Sequence, residues 1–399
     1  MIKIKTSILQ IKVLLLCFFF IIVNENSKTW IYIMSVKIKL TQEYKMKSVR
    51  KGIIAPFDGT FGNYWPSIAR LPNGGLAVVW SGGRRNHICP FGKLLISRSY
   101  DEGNTWSPQE VLLDSPLDDR DGGITVFKDR VIVTTFNNSR EFQRTCLLRW
   151  PESRPEGEAE LIQNYLNEVT DEEESKWFGS LCAVGDGQKF GKFFKVPVTA
   201  PHGPIALSDK LLYVGRAFMG DENIKWPNCL KEGIYYMESE DGLQWSDPIA
   251  APPAEDDVFL CEPHGFECRD KSVFIAARSH AQNNYADMSI YFNRIENGKF
   301  GKWRPSGIHG APPHFLRLEN GDVLLVYGRR EKPYGIRAKL SKDDGISWGE
   351  EIILEDNTVN ADIGYPASVQ LKNGNILTVW YQYCGDDRLA SVIYKEWEI

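Results

Sequence analysis

The sequence predicts an all-β fold, a six-bladed β-propeller with a short helical insertion. Three observations lead there. A turn string recurs: Ser99-Tyr100-Asp101-Glu102-Gly103-Asn104-Thr105-Trp106, then Ser341-Lys342-Asp343-Asp344-Gly345-Ile346-Ser347-Trp348, and a shorter version, Ser239-Glu240-Asp241-Gly242-Leu243-Gln244-Trp245. Each copy follows a short apolar run. Asp and Gly supply the tight turn, Ser and Thr bond to local backbone, and Trp packs underneath. A longer phrase also recurs: a Pro or small residue, a short strand, a turn, and a second strand. Finally, several of these turns are Asn-Gly between apolar runs, the strongest short-range hairpin signal.

In chain order the first phrase is Pro66 to Leu71, Asn73-Gly74, and Leu76 to Trp80. The second is Gly123 to Phe127 with Val131 to Phe136. The third is Pro204 to Leu207 with Leu211 to Val214, and the fourth runs from Pro263-His264-Gly265-Phe266 into Val273 to Ala277. The fifth is Pro313 to Leu318, Asn320-Gly321, and Val323 to Tyr327. The sixth is Pro366 to Leu371, Asn373-Gly374, and Ile376 to Trp380. A spacing of roughly 50 to 80 residues with about four strands per unit fits propeller blades. The longest interval holds an acidic, helix-forming insertion at about 151–178, read as a solvated face. The last strand, Ser391 to Tyr394, is expected to close the ring with the segment near Val49 to Ile54. A pair of β-sandwiches is the structural rival.

Composition narrows the function. The chain has 399 residues with a formal net charge of -5, which argues against a nucleic-acid partner, since such binding needs a basic surface. The eight cysteines show no C-x-x-C pair and no zinc spacing. They read as scattered thiols, with Cys261 and Cys268 the one close pair. No cofactor or metal-ligand motif is present. Residues 46–399 are expected to form the propeller, with no stable membrane span. Residues 1–45 have two readings. Lys3, Lys5 and Lys12 precede the apolar run Val13 to Val23, the length of a signal-peptide core and short for a span, which would make the protein exported with a signal at about 1–25. Alternatively, the true start is near Met46 and the protein is cytoplasmic.

Blade topology then places the chemistry. Where the turn joins the first two strands of a blade, the start of the first and the end of the second share the opposite end. Six such ends converge on one face, where a pocket should form. Those positions carry Tyr64, Trp65, Arg84, Arg85 and His87; Asp118, Asp119, Arg120 and Asp121; His202 and Arg216; Glu262, His264, Arg278 and His280; His314, Arg329, Arg330, Tyr334 and Arg337; and Asp362, Tyr365, Tyr381 and Tyr383. Several arginines around one site suit a carboxylate, which the guanidinium fork binds bidentately. The carboxylates and tyrosines suit glycoside chemistry. His202, His264 and His314 hold equivalent positions; a shared metal is one possible use of them.

On these residues the chain resembles the sialidase superfamily of six-bladed propellers with Asp-box (BNR) repeats, over most of residues 50–399. The resemblance implies an exo-acting glycosidase that releases a terminal acidic sugar. It places the nucleophile at Tyr365, in Gly364-Tyr365-Pro366-Ala367-Ser368, and the activating Glu at Glu262. It places a carboxylate-binding triad at Arg84, Arg278 and Arg337, with Arg330 as the alternative third member. Asp119, Arg120, Asp121, His202 and His264 join the implied substrate site. The chemistry has its own logic: a phenol is a poor nucleophile at its free pKa of about 10, and a neighbouring carboxylate can take its proton. Sialidases are the exception to the two-carboxylate rule for glycosidases.

Two positions depart from the family pattern. The first-blade Arg of the Y/F-R-I-P phrase is replaced by Tyr64, in Asn63-Tyr64-Trp65-Pro66. The segment where the general-acid Asp is expected reads Arg85-Asn86-His87-Ile88-Cys89-Pro90, which leaves His87 as the acid. These changes point to a sugar other than sialic acid, such as a uronic or other acidic residue. A lyase or a His-dependent glycosidase on uronic-acid glycans, and a non-catalytic glycan-binding propeller, are the competing functions.

Overall fold

The computed structural model describes residues 23–25, 28–30, 46–149, 155–217, 230, 232–255, 258–281, 288–356 and 358–399. Two compact units are present, Met1–Gln42 and Glu43–Ile399. Of the first, only a two-stranded antiparallel pair is described, Val23–Glu25 with Lys28–Trp30. The expected signal-like run therefore lies almost wholly outside the described residues. Among those residues no helix is long and apolar enough to cross a membrane.

The second unit is a six-bladed propeller. Blade one pairs Gly62–Arg70, Leu76–Arg84, Lys93–Ser99 and Glu110–Leu113 in order. Blade two follows with Asp118–Phe127, Arg130–Asn138, Gly179–Gly185 and Phe194–Val196. In blade three the innermost strand is broken, so Val198–Thr199 and Ile205–Ala206 both pair with Leu211–Ala217. Blade four is built on Val258–Glu267, Val273–Ala281 and Ser289–Glu296, and blade five on His314–Arg317, Val323–Arg329, Gly335–Ser341 and Ile352–Glu355. Blade six joins the two ends of the unit. Gly364–Gln370, Ile376–Gln382 and Ser391–Glu398 receive Lys47–Ala55 as their outer strand, with Ile393 opposite Ile53.

The core sits between blades. Leu324 and Val326 of blade five pack with Trp380, Ile393 and Trp397 of blade six. Trp80 of blade one packs with Val369 and Val379 of blade six. Alternating strand residues face opposite neighbours, so a central blade strand is apolar on both faces and reads as a continuous run such as Leu76 to Trp80. Burying each large side chain contributes about 1.5–3 kcal/mol.

The recurrent S-x-D string forms one turn in all three copies. Ser99 Oγ accepts from Gly103 N–H at 2.8 Å, and Asp101 accepts from the Thr105 N–H at 2.9 Å and its hydroxyl at 2.6 Å. Ser341, Asp343, Gly345 and Ser347 repeat these bonds. The shorter copy keeps the Gly242 N–H to Ser239 bond at 2.8 Å.

One detail differs from expectation. The helical insertion in blade two begins earlier, at Arg140. Helices Arg140–Arg149, Glu158–Glu168 and Asp171–Trp177 lie between the second and third strands. The last has a complete capping box, Thr170 with Glu173, and Arg140 joins it to the first by pairing with Glu174. Cys261 and Cys268 are both free thiols.

Candidate active site

Four blades aim a side chain inward by the same device. Trp65, Asp121, Glu262 and Tyr365 have φ of 50°, 45°, 51° and 51°. Each sits in a register shift of the first strand: Tyr64/Ser67, Arg120/Gly123, Cys261/His264 and Gly364/Ala367. In blade three Gly203, φ 80°, follows His202 at the corresponding break. A left-handed non-glycine residue costs about 1–3 kcal/mol, and bulges of this kind re-aim side chains at functional sites. Three of the four precede a proline, whose ring biases the preceding residue toward extended backbone. The turn is thus held against local preference.

At the centre the Tyr365 hydroxyl donates to Glu262 Oε1 at 2.5 Å. Arg278 Nη1 donates to both oxygens of the same carboxylate, at 2.9 and 2.7 Å. All three come from the expected ends: Cys261, next to Glu262, stands opposite Arg278, and Gly364 stands opposite Tyr381. Burial and the charges of Glu262 and Asp121 hold the Tyr365 phenol well above its ordinary value, against the pull of Arg278 and Arg330. The phenol is neutral at rest. It becomes a nucleophile only if its proton leaves as it attacks, and Glu262 is placed to receive that proton.

Beside this cluster lies a second one. Asp362 Oδ1 accepts from the Tyr381 hydroxyl at 2.6 Å and Oδ2 from the Tyr383 hydroxyl at 3.1 Å. His87 Nδ1 is 3.4 Å from Oδ2. Burial opposes ionisation of Asp362, but His87, Arg330 and the Tyr381 hydroxyl outweigh it and hold the carboxyl well below the usual range. The His87 ring stands edge-on to Trp65, centroids 5.0 Å apart. Its side chain is 41% exposed, so part of the ring is open to solvent. Enclosure lowers its pKa, Asp362 raises it, and Arg120 and Arg84 lower it further. Asp362 was legible as a pocket residue, but nothing in the sequence tied it to His87.

The arginines divide. Arg330 donates to the Tyr381 hydroxyl at 3.3 Å and lies 6.0 Å from the Tyr365 ring centroid. The Nε groups of Arg330 and Arg278 are buried with no hydrogen-bond partner. Arg84 is fully buried. It pairs with Asp118 at 2.5 Å, donates to Ser81 Oγ and the carbonyls of Asp119 and His87, and packs over Trp65. Arg337 is 1% exposed and faces the outer strand of blade five. There it meets Glu351 at 3.2 Å and Asp356 at 2.8 Å. Arg84 and Arg337 are therefore both engaged in internal ion pairs. Arg330, the alternative third member, is the one beside Tyr365.

In the blade-two run, Asp121 Oδ1 and Arg120 Nε are buried without a hydrogen-bond partner. Asp119 accepts from the Ser115 N–H at 2.8 Å and its hydroxyl at 2.7 Å, which locks a turn. Arg120 donates to the His87 carbonyl at 2.7 Å, pairs with Asp118, and packs over Trp65 with its guanidinium carbon 4.0 Å from the ring centroid. Asp121 is buried with Oδ1 unpartnered. Burial pushes its carboxyl up to about 7, with Glu262 adding to the shift and Arg120 opposing it. Tyr64, in place of the expected arginine, bonds the Tyr383 hydroxyl at 3.2 Å.

His202, His264 and His314 do converge, with ring centroids 4.6–5.6 Å apart. All three are buried. Burial lowers each pKa, His264 to about 3, so all are neutral imidazoles. His264 Nδ1 accepts from the Phe315 N–H at 3.0 Å, whereas neither nitrogen of His202 has a partner. Among the described residues no group of three or more His, Cys, Asp or Glu side chains is arranged to hold a metal ion.

No protein-family model matches the chain, and no curated protein matches it in sequence. Solved structures do. A Dyadobacter fermentans protein of unknown function superposes with a TM-score of 0.67 at 21% identity, over 89% of this chain and 99% of that one. The intramolecular trans-sialidase of Ruminococcus gnavus gives 0.61 at 12% identity, over 87% and 96%. The Penicillium chrysogenum alpha-L-arabinanase gives 0.59 at 12%, over 88% and 98%. The fold of this chain is thus the six-bladed propeller found in sialidase and arabinanase structures.

Proposed function

We propose that the protein is an exo-acting glycoside hydrolase that releases a terminal acidic sugar through a tyrosine nucleophile. The observation that carries this reading is the Tyr365–Glu262–Arg278 chain at the mouth of the inward-facing bulges. Tyr365 Oη attacks the anomeric carbon as its proton passes to Glu262. The glycosidic C–O bond breaks, and the leaving oxygen takes a proton from the imidazolium form of His87, which Asp362 orients. Water then adds to the anomeric carbon and gives its proton to His87, while Tyr365 leaves and recovers its own from Glu262. Arg278 keeps Glu262 in place and charged during the attack, since a lone carboxylate buried there would carry a large desolvation cost.

The acid group of the sugar would lie against the guanidinium of Arg330, which stands beside Tyr365. One observation favours a second reading, a neutral terminal sugar: Arg84 and Arg120 share Asp118, and Arg278 faces Glu262, so most guanidinium charge in the pocket is already matched. A panel of sialosides, uronides, Kdo-type glycosides and neutral glycosides, run with Tyr365→Phe as control, tests both. Cleavage of an acidic glycoside by the wild type, reduced at least about 10³-fold in Tyr365→Phe, is expected. Turnover that survives in Tyr365→Phe would remove the covalent tyrosine, and cleavage of neutral glycosides alone would remove the anion site.

A further inference from the structure

At the end of the ring away from Tyr365 there is a second cavity, of about 730 Å³. It opens between the Gly345–Trp348 turn of blade five and the 299–306 segment of blade four. Its size is that of a ligand pocket, and its lining is of two kinds. Phe292, Phe300 and Trp348 are half-buried and offer ring surface. Trp348 packs on Phe292 at 6.0 Å between centroids, and its Nε1–H has no acceptor. Lys299, Lys302 and Arg304 are exposed, and no carboxylate pairs with them among the described residues. Glu296 is the one carboxylate in the lining. A local excess of cations on a chain of net charge -5 is a feature that folding does not require, because each exposed lysine or arginine could equally be neutral or acidic there.

We propose that this groove binds a segment of an anionic polysaccharide. Sugar rings would lie on Phe292, Phe300 and Trp348, and their acid groups would meet Lys299, Lys302 and Arg304. Aromatic faces beside unpaired cations match a polymer that alternates apolar ring faces with carboxylates or sulfates. Single-stranded nucleic acid offers a similar pairing of ring and charge and is the rival occupant that the test below includes. The choice of an acidic glycan rests on the proposed reaction. The groove would hold the polymer on one face of the ring while a chain end is processed on the other.

The test is native electrophoresis through gels containing polygalacturonate, dextran or single-stranded RNA, at low and at moderate salt. The proteins compared are the wild type, Lys299→Glu/Lys302→Glu/Arg304→Glu, and Phe300→Ala, which removes ring surface without changing charge. Retardation by polygalacturonate but not dextran is expected, weakened by salt. The triple variant should raise the dissociation constant about tenfold or more, since three near-surface ion pairs are lost. Turnover of small glycosides should stay unchanged, which separates the groove from the pocket: loss of small-substrate turnover in the wild type would bear on the reaction alone. Equal retardation of wild type and triple variant, no retardation of the wild type, or tighter binding of RNA than of polygalacturonate would overturn the proposal.

Discussion

Acid should destabilise this propeller through the three axial histidines. His202, His264 and His314 are buried and neutral in the folded protein, with depressed pKa values. In the unfolded chain each titrates near 6.5. The unfolded state therefore binds more protons below that pH. The stabilisation is complete above about pH 6.5 and is lost progressively as pH falls toward the folded value, about 3 for His264. Each histidine contributes a slope of about 1.4 kcal/mol per pH unit in this window. Between about pH 7.5 and pH 5 that amounts to roughly 2 kcal/mol per histidine, or about 6 kcal/mol for three, a large part of a typical domain stability of about 5–15 kcal/mol. The assay is urea unfolding at the two pH values for the wild type and for His202→Gln/His314→Gln. The variant starts from its own stability at neutral pH, but its loss on acidification should be smaller by about 4 kcal/mol. Equal losses in the two proteins would refute the argument, because the acid sensitivity would then come from other groups.

Further outcomes concern the pocket. Asp362→Asn removes the charge that raises the His87 pKa, so the pH at which half the activity is lost on the alkaline side should move down; a kcat–pH profile reads it, and an unmoved limb would disconnect the two residues. Arg278→Met leaves Glu262 without its guanidinium, and a melting curve should show a loss of about 3–5 kcal/mol in stability along with activity. Arg330→Met should raise KM for an acidic glycoside by about tenfold or more with a smaller effect on kcat, as expected when uniform binding is lost; steady-state kinetics with acidic and neutral substrates distinguishes this from a general defect.

Most of the fold was readable because its signals are local. Asn-Gly turns and Ser-x-Asp strings set hairpins by backbone chemistry within a few residues, and alternating strands then follow. The ring closure was readable too, as an unpaired strand at each end of the repeat. Counting strands placed Tyr365 and Glu262 at the pocket end of their blades, since register decides which end a residue occupies, and the resemblance to sialidases singled them out there. The arginines were harder. Arg84 and Arg278 both stand at blade ends, but spacing cannot say that one guanidinium will meet Asp118 and the other Glu262. Arg337 went the same way, drawn outward by Glu351 and Asp356. The left-handed bulges at Trp65, Glu262 and Tyr365 were invisible because the following proline favours an extended residue, and only the assembled ring overrides that preference. The link from His87 to Asp362 joins blade one to blade six, a pairing that no short window of sequence contains.

The sixth blade has a consequence for how the proposed site is assembled. Its outer strand comes from residues 47–55 and its inner three from residues 364–398, so the sheet carrying Tyr365 is stitched from chain segments more than three hundred residues apart. A chain halted before Ser391 would carry Glu262, Arg278 and even Tyr365, yet lack the strand that docks Lys47–Ala55. The proposed nucleophile would then hang from an unclosed ring. Closure of the ring around the proposed site thus depends on Ser391–Glu398, and a chain clipped ahead of that strand would lose it.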